Sequence, residues 1–275
     1  LCAGKGVVVA ADEAEAIAAA RAMLVDRAFG DAGATVVLED RIEGEEASVH
    51  AITDGERLLV LPAARDHKRV FDGDRGPNTG GMGVVAPAPR VSAELLARIE
   101  RDVLRPTIDG MRVDGAPFRG VLFAGLMVTP RGEPMLLEHN VRFGDPECEA
   151  LVALLDGDLA ELLASAAAGS LDASCVRVAA DRHATVVVLA ASGYPESPRK
   201  GDVIAGIDRA EQLEGVLVHH AGTAEEGGAV VTSGGRVLAV TAVGADLPAS
   251  RARAYEAAAR VRFDGAHYRR DIGAG

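Results

Sequence analysis

Tryptophan is absent from this 275-residue chain, and aromatic residues make up only 3%. Packing must therefore rest on small aliphatic side chains, and hydrophobic residues at 48% are sufficient for a substantial core. Cysteine is scarce: Cys2, Cys148 and Cys175 are odd in number and widely spaced. That excludes a disulfide framework and a cysteine zinc site, and it suits a reducing, cytoplasmic setting. Positive charge is also in deficit, with 29 Lys and Arg against 41 Asp and Glu and a net charge of −12. Broad binding to nucleic acid or anionic membrane needs clustered Lys and Arg, so neither partner is expected. No apolar run approaches the roughly 18 residues of a membrane span.

The chain opens on LCAGKGVVVA, a glycine-flanked lysine leading into an apolar stretch. Such a loop normally joins two strands, and the strand before it is missing, so the chain reads as a piece of something longer. VVVA (7–10) reads as a buried strand. Asp12 with Glu15 forms a capping-box start for a helix carrying Ile17, Ala20 and Leu24 on one face. TVVLED (35–40) reads as a further strand. EASVHAIT and RLLVLPAA read as strands about the turn TDGE (53–56). Ser92 caps a helix that Pro106 ends or kinks. FRGVLFAGLMVT and EPMLLEHNVR read as strands joined by PRGE, and 147–168 as helical. Near Asp172 the texture changes to short strands punctuated by glycine, followed by a helix over 249–261. The expected divisions are 1–39, 40–172 and 173–275.

LLEHNVRFGDPE (136–147) carries the most chemistry. On a strand, Glu138, Asn140 and Arg142 share one face, roughly 6.6–7 Å apart, while His139 and Val141 take the other. A carboxylate beside an amide oxygen is a hard donor pair of the kind Mg²⁺ takes together with phosphates and water. An adjacent arginine can stabilise a phosphoryl group or an oxyanion. The same spacing also describes a solvated polar strand face. RFGDPE then adds Asp145 and Glu147 at the strand end, where α/β proteins build sites. His139 reads as a core or interface side chain.

Two glycine-rich loops stand out. In AGKG, the amides of Gly4 and Gly6 can approach phosphates, with Lys5 as the point charge, although a plain hairpin turn has the same composition. GPNTGGMG (76–83) places four glycines in eight residues, which is costly to order and fits a loop closing on substrate through Asn78 and Thr79. Asp66, His67, Lys68 and Arg69 form the chain's local candidate for anion binding. VVLEDRIEGEEAS (36–48) runs into an acidic turn that can accept from adenine or ribose, or can simply be solvated.

AGKGV, AFGDAG, EGEEAS, DHKR, GPNTGGMG, AGLM, RFGDPE, GYP, GDVI, HAGT, GGRVL and DIG, in this order along the whole chain, resemble the phosphoribosylamine–glycine ligase family of ATP-grasp enzymes. GPNTGGMG with RFGDPE is the specific pair. The resemblance implies an α/β (α+β) ATP-grasp fold: a small lid subdomain, a larger mixed-sheet subdomain and a C-terminal β-rich domain. It implies that ATP phosphorylates the glycine carboxylate and that 5-phosphoribosylamine then attacks the acyl phosphate. By this resemblance Glu138 and Asn140 match the ligands of Mg²⁺ (or Mn²⁺). Lys5 and Gly6 match the lid over the nucleotide, Glu39, Asp40 and Ile42 the adenine hinge, and Glu46 a ribose contact. Arg142 matches a group stabilising the phosphoryl, with Lys5 and Asp145 beside it as catalytic candidates. Lys68, Asn78, Thr79, Gly80, Gly81 and Arg142 match substrate-binding positions. The family's N-terminal domain and the strand before AGKG are not in this sequence, so the expectation is a fragment that binds Mg-ATP weakly and turns over poorly or not at all. Another ATP-grasp ligase or carboxylase, and a catalytically silent nucleotide-binding module, remain as alternatives.

Overall fold

The computed structural model describes residues 6–274, so Lys5 lies outside the described residues. The chain forms two compact units, 1–43 and 44–275.

In the first unit, helix α1 spans Glu13–Leu24, and a 3₁₀ turn spans Gly30–Gly33. The helix start is capped as its sequence predicts. The Asp12 carboxylate accepts from the Glu15 amide at 2.9 Å, and Glu15 accepts from the Ala11 amide at 2.7 Å. The two expected strands do not form: 7–10 and 35–40 are irregular, and Val8, Val9, Val37 and Leu38 are exposed. β-branched composition favours a pleated surface, but a strand exists only where a neighbour supplies its ladder. Among the described residues of this unit no such neighbour is present.

The second unit opens with β1 (Glu45–Thr53), β2 (Leu58–Val60), β3 (Arg65–Asp66), β4 (Arg69–Phe71), β5 (Arg75–Asn78) and β6 (Gly83–Ala86). Ser92 caps α2 (Ala93–Ile99) through its hydroxyl, which accepts from the Leu95 amide. A π-helical turn, Glu100–Leu104, then leads into α3 (Arg105–Val113). Pro106 therefore does not end the helix. Its ring lacks the N–H that would bond four residues back, and the wider turn before it absorbs that mismatch. β7 (Gly120–Val128) and β8 (Pro134–Asn140) follow, then α4 (Glu147–Val152), β9 (Leu155–Gly157) and α5 (Leu159–Ala168). The helical stretch expected over 147–168 is thus two helices interrupted by a strand that pairs with β10 (Val176–Val178). The remainder is β11 (His183–Ala190), α6 (Ile207–Glu211), β12 (Val216–His220), β13 (Thr223–Glu226), β14 (Ala229–Thr232), β15 (Arg236–Gly244) and α7 (Leu247–Ala258).

Two antiparallel sheets organise this unit. One has the order β2-β1-β7-β8, the other β12-β15-β11-β6-β3. In the first sheet, Val49, Ala51, Leu122, Ala124 and Leu126 point to one face and pack with Ile99, Leu104 and Ile108 of the long helix. The opposite face holds the side chains described below. The second sheet joins strands from before residue 172 (β3, β6) to strands from after it, and one core unites Ile52, Leu61, Val84 and Leu151 with Val186, Val188 and Ala239. Among the described residues no helix is long and apolar enough to cross a membrane.

Candidate active site

Strand alternation builds the first side of the site. In β1, Glu46, Ser48 and His50 project to the face opposite the helices, because Val49 and Ala51 occupy the helix side. In β8, Glu138 lies opposite Gly125 and Asn140 opposite Phe123, while His139 lies opposite Ala124. Glu138 and Asn140 therefore share the face of His50, and the Asn140 amide donates to the Glu138 carboxylate at 3.3 Å. His139 lies on the other face. Its Nε2 meets the Thr107 hydroxyl at 3.1 Å and its Nδ1 the Phe123 carbonyl at 3.2 Å, which makes it an interface residue between sheet and helix. A Cβ on Gly125 would stand 3.2 Å from the Phe123 Cε1 and in ordinary contact, 3.4 Å, with the Glu138 Cγ.

Arg142 is not on the strand. The ladder ends at Asn140, so alternation does not place its side chain, and its guanidinium donates to the Phe143 carbonyl at 2.7 Å. It stands near enough to His50 to act on it. Burial, and then the Arg142 charge, hold the His50 imidazole down at about 3. His50 is neutral, and its Nε2 accepts from the Gly144 amide at 3.0 Å. Its ring packs edge-on to Phe123 at 4.7 Å and stacks with Phe143 at 6.0 Å. The imidazole thus anchors the turn that carries Arg142 and Asp145.

Beneath that turn lies a buried carboxyl pair. The Ser48 hydroxyl donates to Glu147 Oε1 at 2.9 Å. Asp66 Oδ1 is buried without a hydrogen-bond partner. Burial raises both carboxyls above the ordinary range, and for Asp66 the neighbouring Glu147 charge pushes the same way. The Lys68 ammonium reaches Glu46 at 2.6 Å. Burial works against its charge, but Glu46, and then Asp66, more than offset this and raise its pKa.

The loop 76–83 sits on this pair. Thr79 Oγ1 donates to the Lys68 carbonyl at 2.8 Å and accepts from the Gly81 amide at 3.0 Å. Gly81 has φ +117°, and a Cβ there would lie 2.7 Å from Asp66 Oδ1 and 2.6 Å from Pro146 Cδ. Only glycine allows this close approach of the loop to the 144–147 turn. Second-unit candidates Glu46 and Lys68 thus meet directly, and Gly81 meets the turn that bears Asp145. Asn78 is exposed at the end of β5. Glu39 and Asp40 are exposed and Gly6 and Ile42 half-buried within the first unit.

Ser48 and His50 were not among the residues expected to form the site, whereas Asp66 and Glu147 were noted in their charged clusters without being expected to meet as a pair. A signal for both Ser48 and His50 existed: EEASVHA alternates polar and small apolar residues, so Glu46, Ser48 and His50 share a face.

Glu138 and Asn140 present hard oxygens on one face, and among the described residues no group of three or more His, Cys, Asp or Glu could hold a metal ion. The donor set therefore fits a cation brought by phosphate oxygens rather than one caged by protein alone.

Residues 1–148 match the family profile described as Phosphoribosylglycinamide synthetase, ATP-grasp (A) domain, and residues 184–275 match its C domain. The chain belongs to the phosphoribosylglycinamide synthetase family. A phosphoribosylamine–glycine ligase of Brucella melitensis is 50% identical over 273 residues, covering 99% of this chain and 63% of that protein. The crystal structure of the phosphoribosylamine–glycine ligase from Thermotoga maritima matches with a TM-score of 0.86 at 36% identity, covering 99% of this chain and 66% of that one. The chain thus spans just under two thirds of these relatives. A biotin carboxylase domain of the Hydrogenobacter thermophilus 2-oxoglutarate carboxylase, in complex with MgADP and bicarbonate, matches at TM-score 0.72 with 14% identity, covering 96% of this chain and 56% of that one. At that identity it shows the shared ATP-grasp fold alone. The site described above lies within the residues that match the ATP-grasp (A) domain.

Proposed function

We propose that this chain carries the phosphoryl-transfer and acyl-transfer centre of an ATP-dependent ligase. ATP phosphorylates the carboxylate of glycine, releasing ADP. The amine of 5-phosphoribosylamine then displaces phosphate from the glycyl phosphate to give glycinamide ribonucleotide. The observation that carries the reading is the pairing of Glu138 with Asn140 on the face above the RFGDPE turn, in a chain of this family. Glu138 and Asn140 would hold Mg²⁺ (or Mn²⁺), which supplies charge neutralisation for the transferring phosphoryl group. Arg142 adds fixed positive charge at the same strand end. Asp145, Lys68 and the loop residues Asn78, Thr79, Gly80 and Gly81 orient the substrates. Glu46 accepts from a ribose hydroxyl, exchanging its bond to Lys68. The phosphate role of Lys5 and Gly6 and the adenine role of Glu39, Asp40 and Ile42 are part of the proposal for residues 1–43. We propose the divisions 1–39, 40–172 and 173–275 as the functional segments, acting on small molecules in the cytoplasm.

The test is ADP release with glycine, bicarbonate or formate, each with and without phosphoribosylamine. Release that requires both glycine and the amine is the expected result. Release with bicarbonate would indicate a carboxylase, and ATP binding without any release a silent module.

A further inference from the structure

The two loops expected to meet substrate, GPNTGGMG and RFGDPE, lie at least 59 residues apart in sequence, so only tertiary contacts set the distance between them. Gly80 has no side chain to anchor it, and the Asp145 carboxylate is 60% exposed. A third segment holds them. From the start of β15, Arg236 donates through Nη1 to the Gly80 carbonyl at 2.8 Å and to the Asp145 carbonyl at 2.8 Å. Its Nη2 meets the Asp145 carboxylate at 3.0 Å. Its side chain is only 21% exposed. The preceding peptide is held as well, because the Gly80 amide donates to the Tyr194 hydroxyl at 3.1 Å.

This geometry suits a guanidinium alone. One planar group reaches two carbonyls and a carboxylate at once, and a lysine ammonium on its flexible stem cannot reproduce the fork. The close fit extends to the loop, since a Cβ on Gly80 would stand 3.0 Å from the Arg236 Cζ.

We infer that Arg236, seconded by Tyr194, is a positioning residue that locks the backbone at Gly80 to Asp145 and so sets the distance between the two substrate loops. This rests on the function proposed above for those loops. It assigns to the C-domain portion a direct part in shaping a site whose other groups come from the ATP-grasp portion.

The test is Arg236→Lys, with Tyr194→Phe as a second, milder variant. Amide hydrogen exchange is read over 79–82 and 144–148, and KM is measured separately for ATP, glycine and the amine. In R236K both segments are expected to exchange faster together while the remainder of residues 44–275 is unchanged. KM for glycine and the amine should rise and kcat fall, with combined losses approaching 10²-fold, as displacement of substrate by about 1 Å would produce. KM for ATP should move less than about twofold, since this pair touches no group assigned to the nucleotide. Unchanged exchange, loosening of one loop only, or equal changes in all three KM values would overturn the inference. If the wild-type protein shows no glycine-dependent turnover, the functional reading fails, and the exchange result alone judges the lock. If R236K does not fold, Y194F carries the same measurements, with smaller loosening expected in 79–82.

Discussion

Glu138 and Asn140 face the same way because they are two apart on a paired strand, and their side chains already touch. Glu138→Gln keeps the shape and removes the charge. Metal-dependent ATP turnover is expected to fall by about 10²-fold or more in a variant with unchanged melting temperature. Unchanged turnover would remove the metal role from this residue. His50 supports a prediction about pH. It is neutral when folded, held at about 3 against an ordinary value of 6.5. Below pH 6.5 the unfolded chain takes a proton that the folded chain refuses, so stability falls as pH drops from 6.5 toward 3. One such group contributes at most about 1.4 kcal/mol per pH unit. His67, held at about 4 by burial and then by Arg65, acts in the same direction down to that value. Urea unfolding of His50→Gln between pH 7 and 5 should show a shallower pH slope than wild type, and parallel slopes would refute the assignment.

Among the elements, the loop over the buried carboxyl pair is tightly constrained at Gly81. Gly81→Ala puts a methyl group against Asp66 and Pro146 in a backbone region that side chains rarely adopt. A loss of about 1–3 kcal/mol in thermal or urea unfolding is expected. A neutral result would show that the loop moves freely. β1, β7 and β8 were readable from strand-forming runs bounded by the turns TDGE and PRGE, and α1 and α2 from their caps, because those signals are local. The interruption of 147–168 by β9 was not, because that strand exists only through its pairing with β10. The apolar runs 7–10 and 35–40 illustrate the converse, with strand composition and no ladder.

Across the whole molecule, one core runs through the expected boundary near residue 172. Val84 and Ala86 of β6 pack with Val186 and Val188 of β11, and the two strands are hydrogen-bonded. Residues 44–275 should therefore unfold in a single denaturant transition, with hydrogen exchange on β6 and β11 lost at the same midpoint. Two separate midpoints would show that the C-terminal segment folds by itself.

The family, the order of the motifs and the shared face of Glu138 and Asn140 were determined by residue identity and short spacings, because strand geometry makes neighbours two apart project together. The position of Arg142, the buried Asp66–Glu147 pair and the joining of Gly80 to Asp145 through Arg236 were decided only by tertiary structure. Each depends on groups far apart along the chain, brought together when two sheets pack and exclude water, and no local pattern encodes such a meeting.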